Sequence, residues 1–441
     1  MYDVWPSNPP LNIYLRSLGL EPARGVSDHL SRVLNQPLDA GQLSVLANRA
    51  KYLGVTDEFV RICDYFKPAD GHTPAGFRFE YDLEAGGLLN VNLVRDIGYD
   101  SDGRKRPTNV IYSADSANPY EVAPIAPLLG NLTCNPGIIY DLFINNPKAN
   151  VGNKFTTRDE VMAELGSILG SGCDISVELN NPFEPDFEKI LEEAAFFKDL
   201  LGQDRVVIKV PHTGPVNANN VHQLLEGDGR LDTRYWEPAT ADALRGHNLT
   251  LKLTEAGYRI NYTLMFEPYQ TQMALQARPY FINSFIRHRL IQSEKFATLL
   301  ERIEAGDKGA GVELRDYMVS TDYLSSADTD YEVEKAIEKA RNLLTYRHFQ
   351  DEEGSDGLDA VRHNLRALRN ANLPDTRLII CSMEGDWNYP DIDTLLASDE
   401  FADMADRVVV TAEPSYLARF TSTNQVISYQ RRFMKAAQGQ S

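Results

Sequence analysis

From residue 109 onward, short apolar segments alternate with helical stretches, and this alternation constrains the fold more than any other feature. Helical stretches include residues 157–169, 186–201, 267–277 and 358–371. The segments that read as strands are residues 110–114, 131–134, 174–179, 206–210, 260–265, 280–286, 377–382 and 407–411. Eight strands alternating with helices predict an α/β fold of the (β/α)8 TIM-barrel type.

A doubly wound open sheet is the alternative α/β architecture. It is disfavoured because the glycine fingerprint G-x-G-x-x-G does not follow the first strand. The sequence also has no G-x-x-x-x-G-K-[ST] phosphate loop and no H-E-x-x-H zinc pair. The barrel is therefore the expected fold.

The barrel is expected to occupy residues 106–425, with two inserted segments. The first insertion (about 224–252) and the second insertion (about 292–353) are rich in charge and exceed ordinary loop length. Residues 1–105 are expected to form a mainly helical N-terminal extension, although residues 78–82 and 88–94 alternate like strands. Residues 426–441 are expected to be a C-terminal helix or tail.

Composition excludes several classes of partner. The formal net charge of −19 and a pI near 4.9 argue against nucleic acid and anionic membranes. The four cysteines are widely spaced, as in a reduced cytoplasmic protein, and no secretory signal is recognisable. No apolar run approaches the roughly 20 residues that cross a bilayer. The expected partner is a small-molecule sugar or sugar phosphate, and homo-oligomer formation is left open.

Lys209 lies within the β-branched segment Arg-Val-Val-Ile-Lys-Val-Pro-His-Thr, residues 205–213. Burial disfavours the charged form of a lysine, so its pKa is expected to be lowered and its amine to be nucleophilic. A free amine can form a Schiff base with a ketone, which then acts as an electron sink. The plain structural alternative is a lysine paired with a carboxylate or reaching water.

Polar residues stand at the ends of successive predicted strands. Each has a plain explanation: Asp115 and Asn135 could cap turns, Glu178 could neutralise Lys209, and Thr263 suits a strand. Their common position at the carboxyl ends of barrel strands nevertheless favours one active site. The residues of this set are Asp115, Asn135, Glu178, Lys209, Asn261, Thr263 and Asn283.

The motifs around these residues resemble those of transaldolases, in the family's order. They read Thr-Cys-Asn-Pro-Gly-Ile-Ile (133–139), Ile-Ser-Val-Glu-Leu (175–179), Ile-Lys-Val-Pro-His-Thr (208–213), Ile-Asn-Tyr-Thr-Leu-Met-Phe (260–266) and Phe-Ile-Asn-Ser-Phe-Ile (281–286). The resemblance covers about residues 109–425 without the insertions. It implies a Schiff-base transferase of the pentose phosphate pathway that moves a three-carbon dihydroxyacetone unit from a ketose to an aldehyde.

The resemblance implies a role for each matching residue. Lys209 matches the Schiff-base lysine, and Asp115 matches the carboxylate that takes the donor hydroxyl proton. Glu178 and Thr263 match the pair that holds the water used in forming the carbinolamine. The remaining matches are expected to bind substrate or to lie beside the catalytic water: Asn135, Asn261, Asn283, Phe285, Ser382 and His288.

The sequence departs from the family where the substrate phosphate is held. His288 stands in place of an arginine on the sixth strand, and Glu384 in place of one after the seventh. A carboxylate repels a phosphate that an arginine would hold. The alternatives are therefore an unphosphorylated polyol substrate, a phosphate pocket rebuilt with Arg230 or Arg234, or a sugar-binding barrel without turnover. No metal or organic cofactor is expected, because the histidines and cysteines lack ligand spacing.

Overall fold

The computed structural model describes residues 13–23, 27–69, 72–202, 204–381 and 388–440. The chain divides into two units. The first contains residues 1–107 together with residues 170–173, and the second contains residues 108–169 and 174–441.

The first unit is built on sheets as much as on helices. Its strands are β1 (Ile13–Tyr14), β2 (Glu21–Pro22), β3 (Pro37–Leu38), β4 (Tyr52–Val55), β5 (Phe77–Leu83) and β6 (Leu88–Arg95). Its helices are α1 (Ser27–Leu30), α2 (Ala40–Leu46) and α3 (Asp57–Phe66). Four strands form one sheet in the order β2-β4-β6-β5.

The expectation of a mainly helical extension was therefore wrong. The two segments that alternate like strands, β5 and β6, pair antiparallel across a turn. Gly86 and Gly87 both have positive φ in that turn, a conformation that glycine adopts without steric cost. Short strands such as β1 to β3 carry too few residues for periodicity to reveal them.

The second unit contains a closed barrel of eight parallel strands, which confirms the predicted fold class. Each strand pairs with the next one in the sequence, and the last pairs with the first. The strands are β7 (Ile111–Asp115), β8 (Leu129–Cys134), β9 (Asp174–Glu178), β10 (Val206–Pro211), β11 (Arg259–Met265), β12 (Phe281–Phe285), β13 (Arg377–Cys381) and β14 (Val408–Ala412).

Helices lie between the barrel strands, and a π-helical segment, Ile138–Ile144, follows β8. The helices of this unit are α4 (Pro119–Val122), α5 (Arg158–Leu169), α6 (Phe187–Leu201), α7 (Thr240–Ala243), α8 (Arg245–Glu255), α9 (Pro268–Gln276), α10 (Arg287–Glu304), α11 (Ala310–Ser320), α12 (Val333–Tyr346), α13 (Asp359–Arg369), α14 (Asn388–Leu396), α15 (Pro414–Arg419) and α16 (Asn424–Ala437). Among the described helices, none has the length and apolar character that a membrane crossing requires.

The two insertions differ in kind. The first contains α8, which packs on β10 and β11 as a barrel helix does, so only its earlier part is additional to the barrel pattern. The second comprises most of α10 with α11 and α12, which pack together around their own apolar core. Core residues of the second insertion include Phe296, Leu299, Leu314, Met318, Ala336 and Ala340, all fully buried. The second insertion is thus a small helical layer with its own hydrophobic stabilisation.

Candidate active site

Lys209 lies in the middle of β10 with its side chain inside the barrel. The side chain is 4% exposed, and its Nζ atom is 3.2 Å from Oε2 of Glu178 on β9. The same Nζ donates a hydrogen bond of 3.4 Å to the carbonyl oxygen of Cys134 at the end of β8. In the strand register, Lys209 has Glu178 on one side and Asn261 on the other. The ammonium group is therefore held by two neighbouring strand ends.

The pKa of Lys209 is raised, contrary to the expectation from its sequence context. Burial by itself lowers this pKa. The negative charges of Glu178 and Asp115, with the hydrogen bond to Glu178, raise it by more than burial lowers it. The resting side chain is therefore an ammonium ion at neutral pH. It must give a proton away before it can attack a carbonyl group.

Asp115 ends β7 and is almost fully buried. Burial raises the pKa of its carboxyl group from 3.8 to about 6, even though the Lys209 charge and a hydrogen bond with Thr133 lower it. Its Oδ1 atom has no hydrogen-bond partner within the described part of the chain. A carboxylate with a pKa near 6 is a stronger base than an ordinary aspartate and is still largely ionised at neutral pH.

Buried polar atoms without partners collect on the next two strands. Asn261 and Thr263 lie on β11 and Asn283 on β12, and each is at most 2% exposed. Both side-chain heteroatoms of Asn261, the hydroxyl of Thr263 and Oδ1 of Asn283 lack hydrogen-bond partners among the described residues. An unpaired buried polar atom costs about 1–3 kcal/mol. A cluster of them is what a site for a polar ligand or bound water requires.

A second polar layer lies below these residues, and sequence analysis missed it. Asn131 donates a hydrogen bond of 2.9 Å to the hydroxyl of Ser113 on β7. Ser176 on β9 donates one of 3.2 Å to Oδ1 of Asn131. All three side chains are fully buried. Strand alternation could have identified them, since each lies two residues before Asp115, Thr133 or Glu178.

A β-bulge shapes the end of β11. The register with β12 shifts between Tyr262 and Met265, and Leu264 within it has a φ of 64°. Such a left-handed conformation is strained for leucine, and strain of this kind is common at functional sites. Gln270 stabilises the segment by donating to the carbonyl of Leu264 at 3.2 Å and accepting from the amide of Phe266 at 2.7 Å. The bulge thus follows immediately after Thr263.

The remaining predicted site residues differ from one another in their contacts and in their exposure. Asn135 accepts a hydrogen bond of 2.9 Å from the amide of Ile138, as the plain capping explanation expected. Phe285 ends β12 and stacks on Phe266, with ring centroids 5.2 Å apart. His288 is exposed in the first turn of α10. Ser382 lies outside the described residues, as does Glu384.

The arginines on either side of His288, Arg287 and Arg289, lie on helix α10. Arg289 forms a bidentate ion pair with Asp359, in which Nη2 is 2.8 Å from Oδ2, and its Nε contacts Glu267 at 2.9 Å. Arg287 is also on α10 and is largely buried. Arg289 is thus committed to a buried ion-pair network.

The arginines of the first insertion pair with carboxylates of the second. Arg230 contacts Asp322 at 3.0 Å, and Arg234 contacts Asp328 at 2.8 Å. These contacts hold the two insertions together. They do not support a phosphate pocket rebuilt with Arg230 or Arg234. Within the described residues, no group of three His, Cys, Asp or Glu side chains is arranged to hold a metal ion.

A comparison with known protein families finds a match within the barrel region. Residues 112–314 match the family model described as transaldolase/fructose-6-phosphate aldolase, which confirms the predicted resemblance. The match begins in β7 and ends in α11, so β13 and β14 lie outside it. It supports an enzyme of the aldolase type.

Two further comparisons add little. No curated protein matches the sequence. One similar solved structure is the crystal structure of the refolded wild-type (putative) lactate oxidase of Pediococcus acidilactici. It shares 10% identity and a TM-score of 0.31, over 79% of this chain and 68% of that chain. At this level the similarity carries no functional information.

Proposed function

We propose that this protein, a divergent relative of the transaldolase/fructose-6-phosphate aldolase family over residues 112–314, forms a Schiff base through Lys209. The contact that supports this most directly is the 3.2 Å distance between the Lys209 ammonium and the Glu178 carboxylate. It lies beside buried polar atoms that have no partner within the described chain. A purely structural ion pair would not need such a cluster around it.

The first steps follow from the charges of the pair. Glu178 accepts a proton from the Lys209 ammonium, and the resulting amine attacks the carbonyl carbon of a ketose. Proton return to the carbinolamine hydroxyl releases water and leaves a cationic iminium. Thr263 and Glu178 are the groups that hold the water at this stage. Asn261 and Asn283 bind hydroxyl groups without competing for the proton, since amides do not titrate.

Asp115 is the base for the bond-breaking step. Its carboxylate takes the proton of the donor hydroxyl next to the scissile bond. The C–C bond breaks, its electron pair moves to the iminium nitrogen to form an enamine, and an aldehyde leaves. A pKa near 6 suits both removing this proton and returning it in the reverse direction. Addition of the enamine to a second aldehyde forms the new C–C bond and an iminium on Lys209. Water hydrolyses this iminium, which releases the product and frees the lysine and so completes the transfer of a dihydroxyacetone unit.

A second candidate is the same chemistry on an unphosphorylated polyol. The observation in its favour is the pairing of Arg289, which uses both Asp359 oxygens and Glu267. His288 occupies the position that resembles the family's phosphate-binding arginine, so the guanidinium that would hold a phosphate bidentately is absent there. Both donors would react with the same lysine. Only the kinetic constants for the two donors would therefore distinguish an unphosphorylated polyol from a sugar phosphate.

Borohydride trapping tests the proposal. Incubation with a keto-sugar and borohydride should give a stable adduct on Lys209, located by peptide mass spectrometry. Lys209→Ala should form none, and Lys209→Arg should do no better, because a guanidinium is not a nucleophile at neutral pH.

Lys339 provides a matched control, since half burial lowers the pKa of its amine to about 8. On pKa alone, Lys339 is the more reactive lysine, so unspecific labelling would concentrate there. Lys339→Ala should therefore trap as much adduct as the wild type. Adduct that persists in Lys209→Ala, or its absence from the wild type, would refute the Schiff-base proposal and favour a binding barrel.

A further inference from the structure

A cavity of about 420 Å³ lies past the carboxyl ends of β11 and β12. Phe266, which follows β11, and His288, which follows β12, line its barrel side. Both insertions contribute to the rest of its wall. We call it the tyrosine-lined cavity, because its wall includes Tyr235, Tyr269, Tyr323 and Tyr346. Its volume is that of a small-molecule site, which typically encloses about 300–1,000 Å³.

Among the described residues of this wall, the arginine is Arg347, and it has no hydrogen-bond donor left for a ligand. Its Nε and Nη2 donate to Glu267, its Nη1 to Ser293 and to the carbonyl of Arg289, and its Nη2 also to Tyr323. A guanidinium has five N–H groups, so all five are used. Arg347 therefore fixes the wall and does not bind a phosphate.

The acidic groups in the wall are also paired. Glu267 is held by Arg289 at 2.9 Å as well as by Arg347, and Asp322 by Arg230 at 3.0 Å. What the cavity offers to a ligand is then mainly ring faces. A phosphate would find no free arginine in the described part of this wall, whereas an uncharged ring gains apolar contact.

The cavity is connected to the catalytic face through one pair of rings. Phe266 lines the cavity and stacks on Phe285, with centroids 5.2 Å apart and ring planes 24° apart. Phe285 ends β12 two residues after Asn283, on the same face of the strand. Phe285 thus links the strand that carries Asn283 to a ring in the cavity wall.

We propose that the tyrosine-lined cavity binds the aromatic ring of an uncharged aldehyde acceptor. This inference rests on the proposed function, in which an enamine on Lys209 meets a second aldehyde. The enamine carbon bonds to the aldehyde carbon, and the aldehyde oxygen takes the proton held by Asp115. The cavity residues hold the distant ring and take no part in bond making.

Acceptor kinetics test this inference. With one keto-sugar donor, kcat/KM should be higher for phenylacetaldehyde than for glyceraldehyde or glyceraldehyde 3-phosphate. Tyr269→Ala and Tyr346→Ala each remove an exposed ring from the cavity wall. Both variants should have a lower ratio of kcat/KM for phenylacetaldehyde to kcat/KM for glyceraldehyde. An aromatic contact of ordinary strength predicts a decrease of about 3- to 10-fold in this ratio for each variant. Tyr429→Ala, an equally exposed tyrosine on α16, should leave the ratio unchanged.

A binding measurement separates this inference from the proposed function. Saturation-transfer NMR with 2-phenylethanol, an unreactive analogue, should detect binding to the wild type and to Lys209→Ala, and weaker binding to Tyr346→Ala. Absence of the borohydride adduct with retained, Tyr346-dependent 2-phenylethanol binding would refute the Schiff-base proposal and the acceptor role, but not the binding of a ring in the cavity. Equal 2-phenylethanol binding to the wild type and Tyr346→Ala, or a preference for the phosphorylated acceptor, would overturn the assignment of the cavity.

Discussion

Replacing Asp115 by asparagine should stabilise the folded protein at neutral pH. The folded-state pKa of about 6 lies above the ordinary value of 3.8 because burial penalises the carboxylate. At 1.36 kcal/mol for each pKa unit, ionised Asp115 costs about 3 kcal/mol of folding free energy. This pKa already includes the attraction of Lys209. Asparagine has the same shape and carries no charge, so Asp115→Asn removes the penalty.

Because burial raises the pKa of Asp115, the stability gained by Asp115→Asn should depend on pH. The folded protein binds the Asp115 proton more tightly than the unfolded chain does, so the penalty is absent below pH 3.8 and complete above pH 6. The gain in the free energy of unfolding should be about 3 kcal/mol at pH 7.5, roughly half of that at pH 5 and less than about 1 kcal/mol at pH 4.

Urea unfolding of the wild type and Asp115→Asn at these three pH values measures the difference. Asp330→Asn provides the control, because Asp330 is exposed and its substitution should change stability by less than about 0.5 kcal/mol at each pH. A gain that is the same at pH 7.5 and pH 4, or a loss of stability at pH 7.5, would refute the reasoning.

Four further outcomes are expected. Asp115→Asn should lower kcat by about 10²–10⁴-fold while still trapping the Lys209 adduct. The kcat of the wild type should fall as the pH decreases through about 6. If Asp115→Asn traps no adduct, Asp115 acts at an earlier step. Glu178→Gln should shift the pH profile of adduct formation to lower pH, because Glu178 raises the pKa of Lys209; an unmoved profile would contradict this. Arg347→Met should lower the free energy of unfolding, measured by thermal unfolding, by about 3–5 kcal/mol, because it leaves Glu267 partly unpaired. Arg341 is exposed, so Arg341→Met should lower it by less than about 0.5 kcal/mol. Equal losses of stability in the two variants would contradict a stabilising ion-pair network around Arg347. Exhaustive chelation should leave turnover unchanged, since the lysine itself supplies the electron sink; a loss restored by one specific metal ion would exclude this mechanism.

The barrel could be predicted from the sequence because its strands and helices are each recognisable from the pattern of apolar residues within a short segment. Eight short apolar segments separated by helical stretches fit few other folds, and each strand was located to within about two residues. The polar residues at the strand ends were also evident, because alternation and the position of the strand end decide which side chains face the interior. In the first unit, alternation also revealed the two long strands β5 and β6, whereas the short strands β1 to β3 lacked such a signal.

The charge state of the site depended on contacts between distant segments. Burial alone predicts a lowered pKa for Lys209, and only the approach of Glu178 and Asp115 in the barrel reverses this direction. The same holds for Arg289, whose partner Asp359 lies 70 residues away in the sequence. The local sequence pattern reveals which residues face inward. The electrostatic energy of a buried group depends instead on its distances to all surrounding charges, and only the tertiary structure sets those distances.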